Sequence, residues 1–128
     1  MAKKTSKEKK QIGELIDVIV LAADEKKAND IVTIDLTQFD TRVCDYFIIC
    51  SADSSTQLES IVQNIQIKTK QSLKEAPFST EGRKNAFWVI IDYIQVVVHV
   101  MQTQAREYYN LEGLWADASL HKRIINEN

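Results

Sequence analysis

Carboxylate, imidazole and thiol side chains are the groups of this 128-residue chain that could do chemistry, and few of them lie near apolar segments. Asp45 stands at the start of one apolar run and Asp92 at the end of another. Two carboxylates that converge at one end of a sheet could bind a divalent metal ion and align a nucleotide for group transfer. A strand-end Asp is also a common turn former. The sequence leaves both interpretations open and favours the turn.

The other groups that nucleotidyl transfer needs are missing from the sequence. A Gly-Ser turn would hold the triphosphate, whereas Gly13, Gly82 and Gly113 are isolated glycines. No Asp-x-Asp pair lies on a predicted strand. We therefore predict a chain that is not an enzyme, with no catalytic residues, no metal site and no cofactor.

His99 and the two cysteines also lack the neighbouring groups that a metal or catalytic site would need. His99 lies inside a predicted core strand, with no second His, Cys or acidic run near it, so it is predicted to be structural. The alternative is a hydrogen bond from His99 that fixes part of a binding face. Cys44 and Cys50 are six residues apart without a second pair or a His at zinc spacing, which predicts reduced thiols rather than a zinc site.

Asp92 and His99 lie in a predicted hairpin that is followed by a helix. Residues 87–91 and 96–101 are apolar, β-branched runs, and the four residues between them predict an antiparallel hairpin. The second run is apolar on both faces, which is typical of a strand at the centre of a sheet. From Thr103 onward the apolar spacing becomes helical. The helical positions are Ala105, Tyr108, Leu111 and Trp115.

The remainder of the chain predicts an α/β fold with a mixed sheet of four or five strands flanked by helices. One helix starts near Ile12 and another at Ser55, and strands cover residues 31–36 and 45–51. Alternation in the first of these strands predicts that Thr33 and Asp35 face solvent. We expect one domain over residues 11–116, a disordered basic tail over 1–10, and a C-terminal tail over 117–128 that frays.

Charge is unevenly distributed along the chain. Five lysines against one glutamate make the first ten residues +4, which leaves −6 for the rest of a chain whose net charge is −2. An acidic body predicts little or no direct nucleic-acid binding, with a basic tail that could help near RNA by charge alone. No run is long and apolar enough for a membrane span or a signal peptide, so we expect a cytoplasmic protein without membrane contact.

From about Ile12 to Trp115 the chain resembles the Iojap-like ribosomal silencing factors (RsfS). The resemblance rests on DYFIICS at 45–51, Glu81-Gly82, Trp88, VVVHVM at 96–101, and the following Arg106, Tyr109, Leu111, Glu112, Leu114 and Trp115. Two departures occur. This chain has Ala52-Asp53 where the family usually has Gly-Thr, and Ile94-Gln95 where the family often has Gly-Asp.

This resemblance implies a nucleotidyltransferase-like fold without its catalysis. It also implies a translational repressor that binds the fourteenth protein of the large ribosomal subunit and sterically blocks joining of the small subunit, with a link to ribosome biogenesis. Members of the family are often homodimers. A nucleotide-dependent transferase remains the alternative function.

We predict that the docking face contains Trp88, Asp92, Tyr109 and Glu81, because aromatic side chains and a few charges usually dominate binding energies. His99 and Arg106 are added as partner-binding residues. Trp88 shares a strand face with Asp92, opposite Phe87. The competing interpretation of Trp88 is a core side chain whose N–H group is satisfied inside the protein.

Overall fold

The structure, a computed structural model, describes residues 4–40, 42–114 and 119–122. In chain order the elements are α1 (Ser6–Glu25), β1 (Asn29–Asp35), β2 (Tyr46–Ala52), α2 (Ser55–Leu73), β3 (Ser79–Glu81), β4 (Trp88–Asp92), β5 (Val96–Gln102), α3 (Thr103–Tyr109), α4 (Leu111–Leu114) and β6 (Ser119–Lys122). The strands form one sheet in the order β3-β4-β5-β2-β1-β6.

Strand directions confirm the predicted α/β class and the mixed sheet. β4 and β5 pair antiparallel, with Trp88 opposite Met101 and Asp92 opposite Val97. β5 then pairs parallel with β2, in the register Tyr46 with Val96. β5 therefore lies inside the sheet, as its two apolar faces predict. The connection from β2 to β5 runs through α2, β3 and β4. The Ser54 side chain caps α2 by accepting from the Gln57 amide at 3.1 Å.

Apolar layers lie on both faces of the sheet. The larger layer packs under α1 and α2 and includes Ile48, Val89 and Val98. The smaller layer lies on the opposite face and includes Phe47, Ile49 and partly buried Trp88. The second layer is covered only in part, by α3, α4 and the segment after β1, and its open portion over β4 and β5 is the region of functional interest.

β1 is buried on both faces, which corrects the expected half-exposed strand. Thr33 is only 5% exposed, because its Cα partner is Ile48 on the face that the long helices cover. Asp35 is half-buried, and its Oδ1 accepts from the amide and the hydroxyl of Thr37 at 2.8 and 2.6 Å. The alternating polar residues of β1 therefore do not form a solvent-exposed face. Asp35 is hydrogen-bonded within the chain, and Thr33 is small enough to be buried.

α1 begins earlier than the sequence analysis expects. Thr5 and Glu8 form a capping box, in which Glu8 N donates to Thr5 Oγ1 at 3.1 Å and Thr5 N donates to Glu8 Oε1 at 2.9 Å. The prediction of a disordered tail over residues 1–10 is therefore wrong from Ser6 onward. Residues 1–3 lie outside the described residues.

The sheet has one strand more than predicted. β6 pairs antiparallel with β1, with Ser119 opposite Asp35 and Lys122 opposite Val32. The expectation that the C-terminal tail frays is wrong for these four residues, because β1 has a free edge that they can pair with. Trp115 and the tail residues 116–118 and 123–128 lie outside the described residues. None of the described helices is long and apolar enough to cross a bilayer.

Candidate partner-binding face

The candidate site is the part of the sheet that faces away from α1 and α2, over β4 and β5. We call it the aromatic face, and it consists of Trp88, Ile90 and Asp92 of β4 with Val97, His99 and Met101 of β5. The hairpin register brings these side chains together, because Ile90 pairs with His99 and its two neighbours on the same face pair with Val97 and Met101. Both strands alternate, so their other side chains enter the large core.

Trp88 and His99 are joined by a hydrogen bond. Trp88 Nε1 donates to His99 Nδ1 at 3.1 Å, which requires a neutral imidazole with its proton on Nε2. Nε2 is buried and has no partner among the described residues. Burial lowers the pKa of His99 from 6.5 to about 4. The bond fixes the plane of the indole. It is compatible both with the structural role predicted for His99 and with the alternative, in which a hydrogen bond of His99 fixes part of a binding face.

Five rings form a continuous series of contacts from the core to solvent. Phe47 meets His99 edge-on at 4.7 Å between ring centroids, and His99 lies 5.9 Å from Trp88. Tyr109 of α3 lies 4.8 Å from Trp88, and Tyr108 meets Tyr109 edge-on at 5.0 Å. Tyr109 is 46% exposed and Tyr108 is 81% exposed. Such rings combine large contact area with few rotatable bonds, which suits a protein interface.

Arg106 holds α3 and α4 against the sheet. Its Nε and Nη2 donate to the two carboxylate oxygens of Glu112 at 3.0 and 3.1 Å. Its Nη1 donates to Asn29 O and Ser51 Oγ, both at 3.3 Å. Because each guanidinium nitrogen already has a partner within the chain, Arg106 positions the helix that carries Tyr109 rather than offering a free charge.

Replacing Arg106 with Met is expected to lower the free energy of unfolding by about 1 to 2 kcal/mol, because a two-pronged, largely buried pair is lost and Glu112 is left without its cation. The matched control is Arg83→Met. Arg83 pairs with Glu59 at 3.3 Å, but both side chains are about 40% exposed, so about 0.5 kcal/mol or less is expected. Urea unfolding measures the free energy of unfolding of both variants. Equal losses would show that the Arg106–Glu112 pair stabilises the fold no more than the exposed Arg83–Glu59 pair does.

Gly82 permits the close approach of β3 and β4. Its φ is +90°, and a Cβ at this position would lie 2.1 Å from the backbone oxygen of Trp88. Only glycine fits without moving the start of β4. The preceding Glu81 is exposed and pairs with Ile90 across the strands, so its carboxylate lies at the β3 border of the aromatic face.

The two aspartates of the transferase hypothesis are engaged separately. Asp92 Oδ1 accepts from the Ile94 amide at 2.7 Å, so Asp92 forms the turn that the sequence favours. Asp45 is buried, its Oδ1 accepts from Arg42 Nε at 3.0 Å, and its Oδ2 lies 3.2 Å from the Lys4 ammonium. Among the described residues, no group of three or more His, Cys, Asp and Glu side chains is placed to hold a metal ion.

The two thiols are buried and free. Burial raises the pKa of Cys44 to about 11 and that of Cys50 to about 12. Both therefore remain protonated at neutral pH and are poor nucleophiles and poor metal ligands.

Of the six residues predicted to bind a partner, the structure places Trp88, His99 and Tyr109 in contact. Asp92 and Glu81 lie at two borders of the same face, whereas Arg106 is occupied by Glu112 and the sheet.

Sequence reasoning missed the exposed ring of Tyr108. The apolar spacing suggests one continuous helix with Tyr108 on its buried stripe, but Asn110 adopts φ 45° and ends α3. A short polar residue such as Asn tolerates this left-handed conformation, so Asn110 is the residue in the sequence that could have predicted the end of α3.

Comparisons with known proteins point in one direction. Residues 8–128 match the family model described as ribosomal silencing factor during starvation. The chain is 37% identical to the ribosomal silencing factor RsfS of Bacillus subtilis, over 83% of this chain and 88% of that protein. It is 33% identical to the mouse protein named mitochondrial assembly of ribosomal large subunit protein 1, over 85% of this chain and 48% of that protein.

A solved structure agrees with the fold. The crystal structure of a Chromobacterium violaceum protein superposes with a TM-score of 0.77 at 30% sequence identity, and the match covers 82% of this chain and 86% of that one.

Proposed function

The chain belongs to the family of ribosomal silencing factors, and from that premise we propose that it represses translation by binding the large ribosomal subunit and sterically blocking its joining with the small subunit. The proposed contact on the large subunit is its fourteenth protein. The proposal includes a cytoplasmic location and a homodimer, as the resemblance implies. The names of the relatives support action on ribosomes, and one name refers to the assembly of the large subunit.

The observation that carries the docking proposal is the aromatic face. Trp88 is held in one orientation by His99 on one side and Tyr109 on the other. A preorganised aromatic side chain loses little conformational freedom on binding, so more of its contact energy remains for affinity. Glu81 and Asp92 supply negative charge at the borders of this face, where charges direct association and orientation.

The transferase alternative gains no support from the described residues. Asp45 is neutralised by Arg42 and Lys4, and Asp92 is bound to its own turn. The regulatory role in the names of the relatives also favours a binding protein over an enzyme. We therefore propose that binding alone, without modification of the ribosome, accounts for silencing.

Steric blocking predicts stoichiometric and reversible inhibition. Titration of the protein into purified large and small subunits should reduce joining in proportion to the bound fraction of large subunits, because the effect follows [L]/([L] + Kd). Sedimentation measures the joined particles. Inhibition should require binding to the large subunit first, and it should disappear when the protein is washed away.

Two outcomes would overturn this mechanism. An enzyme acts at trace amounts and its effect remains after its removal. Loss of joining at about a hundredth of the stoichiometric amount, or inhibition that survives washing, would exclude steric blocking and restore the transferase alternative.

A further inference from the structure

The start of α1 projects beyond the hydrophobic core. Residues 6–11 are all exposed, and the first buried residue of the helix is Ile12. At about 1.5 Å per residue, these six residues form roughly 9 Å of helix that buries no apolar side chain. A helical end without tertiary packing is marginal in water. Core packing therefore does not account for this extension.

Local contacts hold the extension in place. The Thr5–Glu8 capping box satisfies the first amide groups of the helix from within the chain. Lys4, just before the helix, makes an ion pair with Asp45 at 3.2 Å. Because Asp45 is buried at the end of the sheet, this pair fixes where the projecting helix begins.

Three lysines on the projecting helix have no acidic partner among the described residues. Lys7, Lys9 and Lys10 are exposed, and none makes an ion pair within the part of the chain that the structure describes. The acid among them, Glu8, is engaged in the capping box. Cations in the first turns of a helix also oppose the helix dipole. The positive charges of Lys7, Lys9 and Lys10 therefore do not stabilise the fold.

The basic end of α1 begins at the same end of the sheet as Asp92, which borders the aromatic face on the opposite side of the sheet. Asp45 directly precedes β2 and Asp92 ends β4, and the strand register places both at the same end of the sheet. A partner that covers the aromatic face as far as Asp92 therefore reaches the sheet end where Lys4 meets Asp45.

We propose that Lys7, Lys9 and Lys10 contact the phosphate backbone of RNA next to the protein on which the aromatic face docks. This inference rests on the proposed function. Phosphate carries the negative charge that complements three ammonium groups, none of which has an ion pair among the described residues. A chain with net charge −2 binds free RNA weakly, but docking raises the local concentration of phosphate around the lysines. The contact therefore fits the expectation of little direct nucleic-acid binding by the free protein.

The test compares two triple variants of the full chain that lose the same charge. The first is Lys7→Gln with Lys9→Gln and Lys10→Gln, which preserves helix propensity. The control is Lys26→Gln with Lys27→Gln and Lys84→Gln, three exposed lysines at the opposite end of the sheet. Affinity is measured over a range of salt concentrations for intact large subunits and for the isolated fourteenth protein of that subunit.

For large subunits, the α1 variant should lower the slope of log K against log salt by about 2, since each phosphate contact contributes about 0.7 to 0.9. Between about 50 and 200 mM salt, the wild type should then lose roughly 15-fold more affinity than the α1 variant. The control variant should match the wild type, and all three proteins should bind the isolated ribosomal protein equally.

Each other outcome has a distinct meaning. An α1 variant that matches the control on large subunits would show that the lysines are only a solvated surface. An equal loss on the isolated ribosomal protein would identify an acidic protein surface, and not RNA, as their partner. Absence of large-subunit binding by the wild type would refute the proposed function, and the inference with it.

Discussion

Trp88→Ala is expected to weaken the proposed binding to the large subunit by about 30-fold or more, which corresponds to the roughly 2 kcal/mol that defines a binding hot spot. The indole is the middle ring of the series, between His99 and Tyr109. Its loss removes the largest side chain of the aromatic face and leaves Tyr109 without the ring against which it lies. Affinity should be measured at a temperature at which both proteins are fully folded.

Phe87→Ala is the matched control for this prediction. Phe87 is the adjacent aromatic residue, it is 42% exposed, and it lies just before β4 begins. We expect its affinity to stay within about threefold of the wild type, a difference below 1 kcal/mol. If Trp88→Ala instead loses about 3 kcal/mol or more of folding stability and binds normally when folded, Trp88 is a core residue and the docking face lies elsewhere.

The free energy of unfolding is expected to fall by up to about 3 kcal/mol between pH 7 and pH 4 because of His99. The unfolded chain takes up the proton near pH 6.5, whereas burial keeps the folded imidazole neutral until about pH 4. Over this interval the unfolded state binds more protons than the folded state. The contribution of His99 to the free energy of unfolding is therefore fully present above pH 6.5 and is lost as the pH falls toward 4. Protonation of Nδ1 would also remove the acceptor for Trp88.

His99→Gln should flatten this pH dependence. Gln is neutral at every pH in the interval and still offers an acceptor to Trp88. Urea unfolding at half-unit steps of pH compares the two proteins in the same buffers, so the titration of other groups cancels in the difference. Parallel curves for wild type and variant would mean that His99 takes up its proton equally well in the folded protein.

Much of the sheet is predictable because burial on both faces leaves a clear signature. The run at 96–101 is apolar at every position except His99, and it becomes the interior strand β5. The same logic fails for Thr33, since a small hydroxyl residue under a helix looks like a solvent-facing position in the alternation. The Thr5–Glu8 capping box is visible in the sequence, but the lysines around it suggest disorder more strongly than the box suggests a helix.

The candidate site is only half visible in the sequence. Alternation places Trp88 and Asp92 on one side of a strand and His99 on one side of the next. The contact between Trp88 and His99 depends on the register of the hairpin, which the turn at Ile94 sets with a φ of 77° that β-branched residues rarely adopt. Arg106 pairs with nearby Glu112, but its contacts with Asn29 and Ser51 join distant parts of the chain. Its attachment to the sheet therefore could not be read from a local pattern.

The parallel pairing of β2 with β5 has a consequence for how long a partner-bound molecule would last. Tyr46 pairs with Val96 across fifty positions of the chain, and both apolar layers are built on these two strands. Neither layer can form before that long loop closes, so the two layers should fold and unfold together. A partner bound to the aromatic face therefore also stabilises the helices on the other side of the sheet. Occupied molecules should resist proteases in both layers, and free molecules should be degraded first.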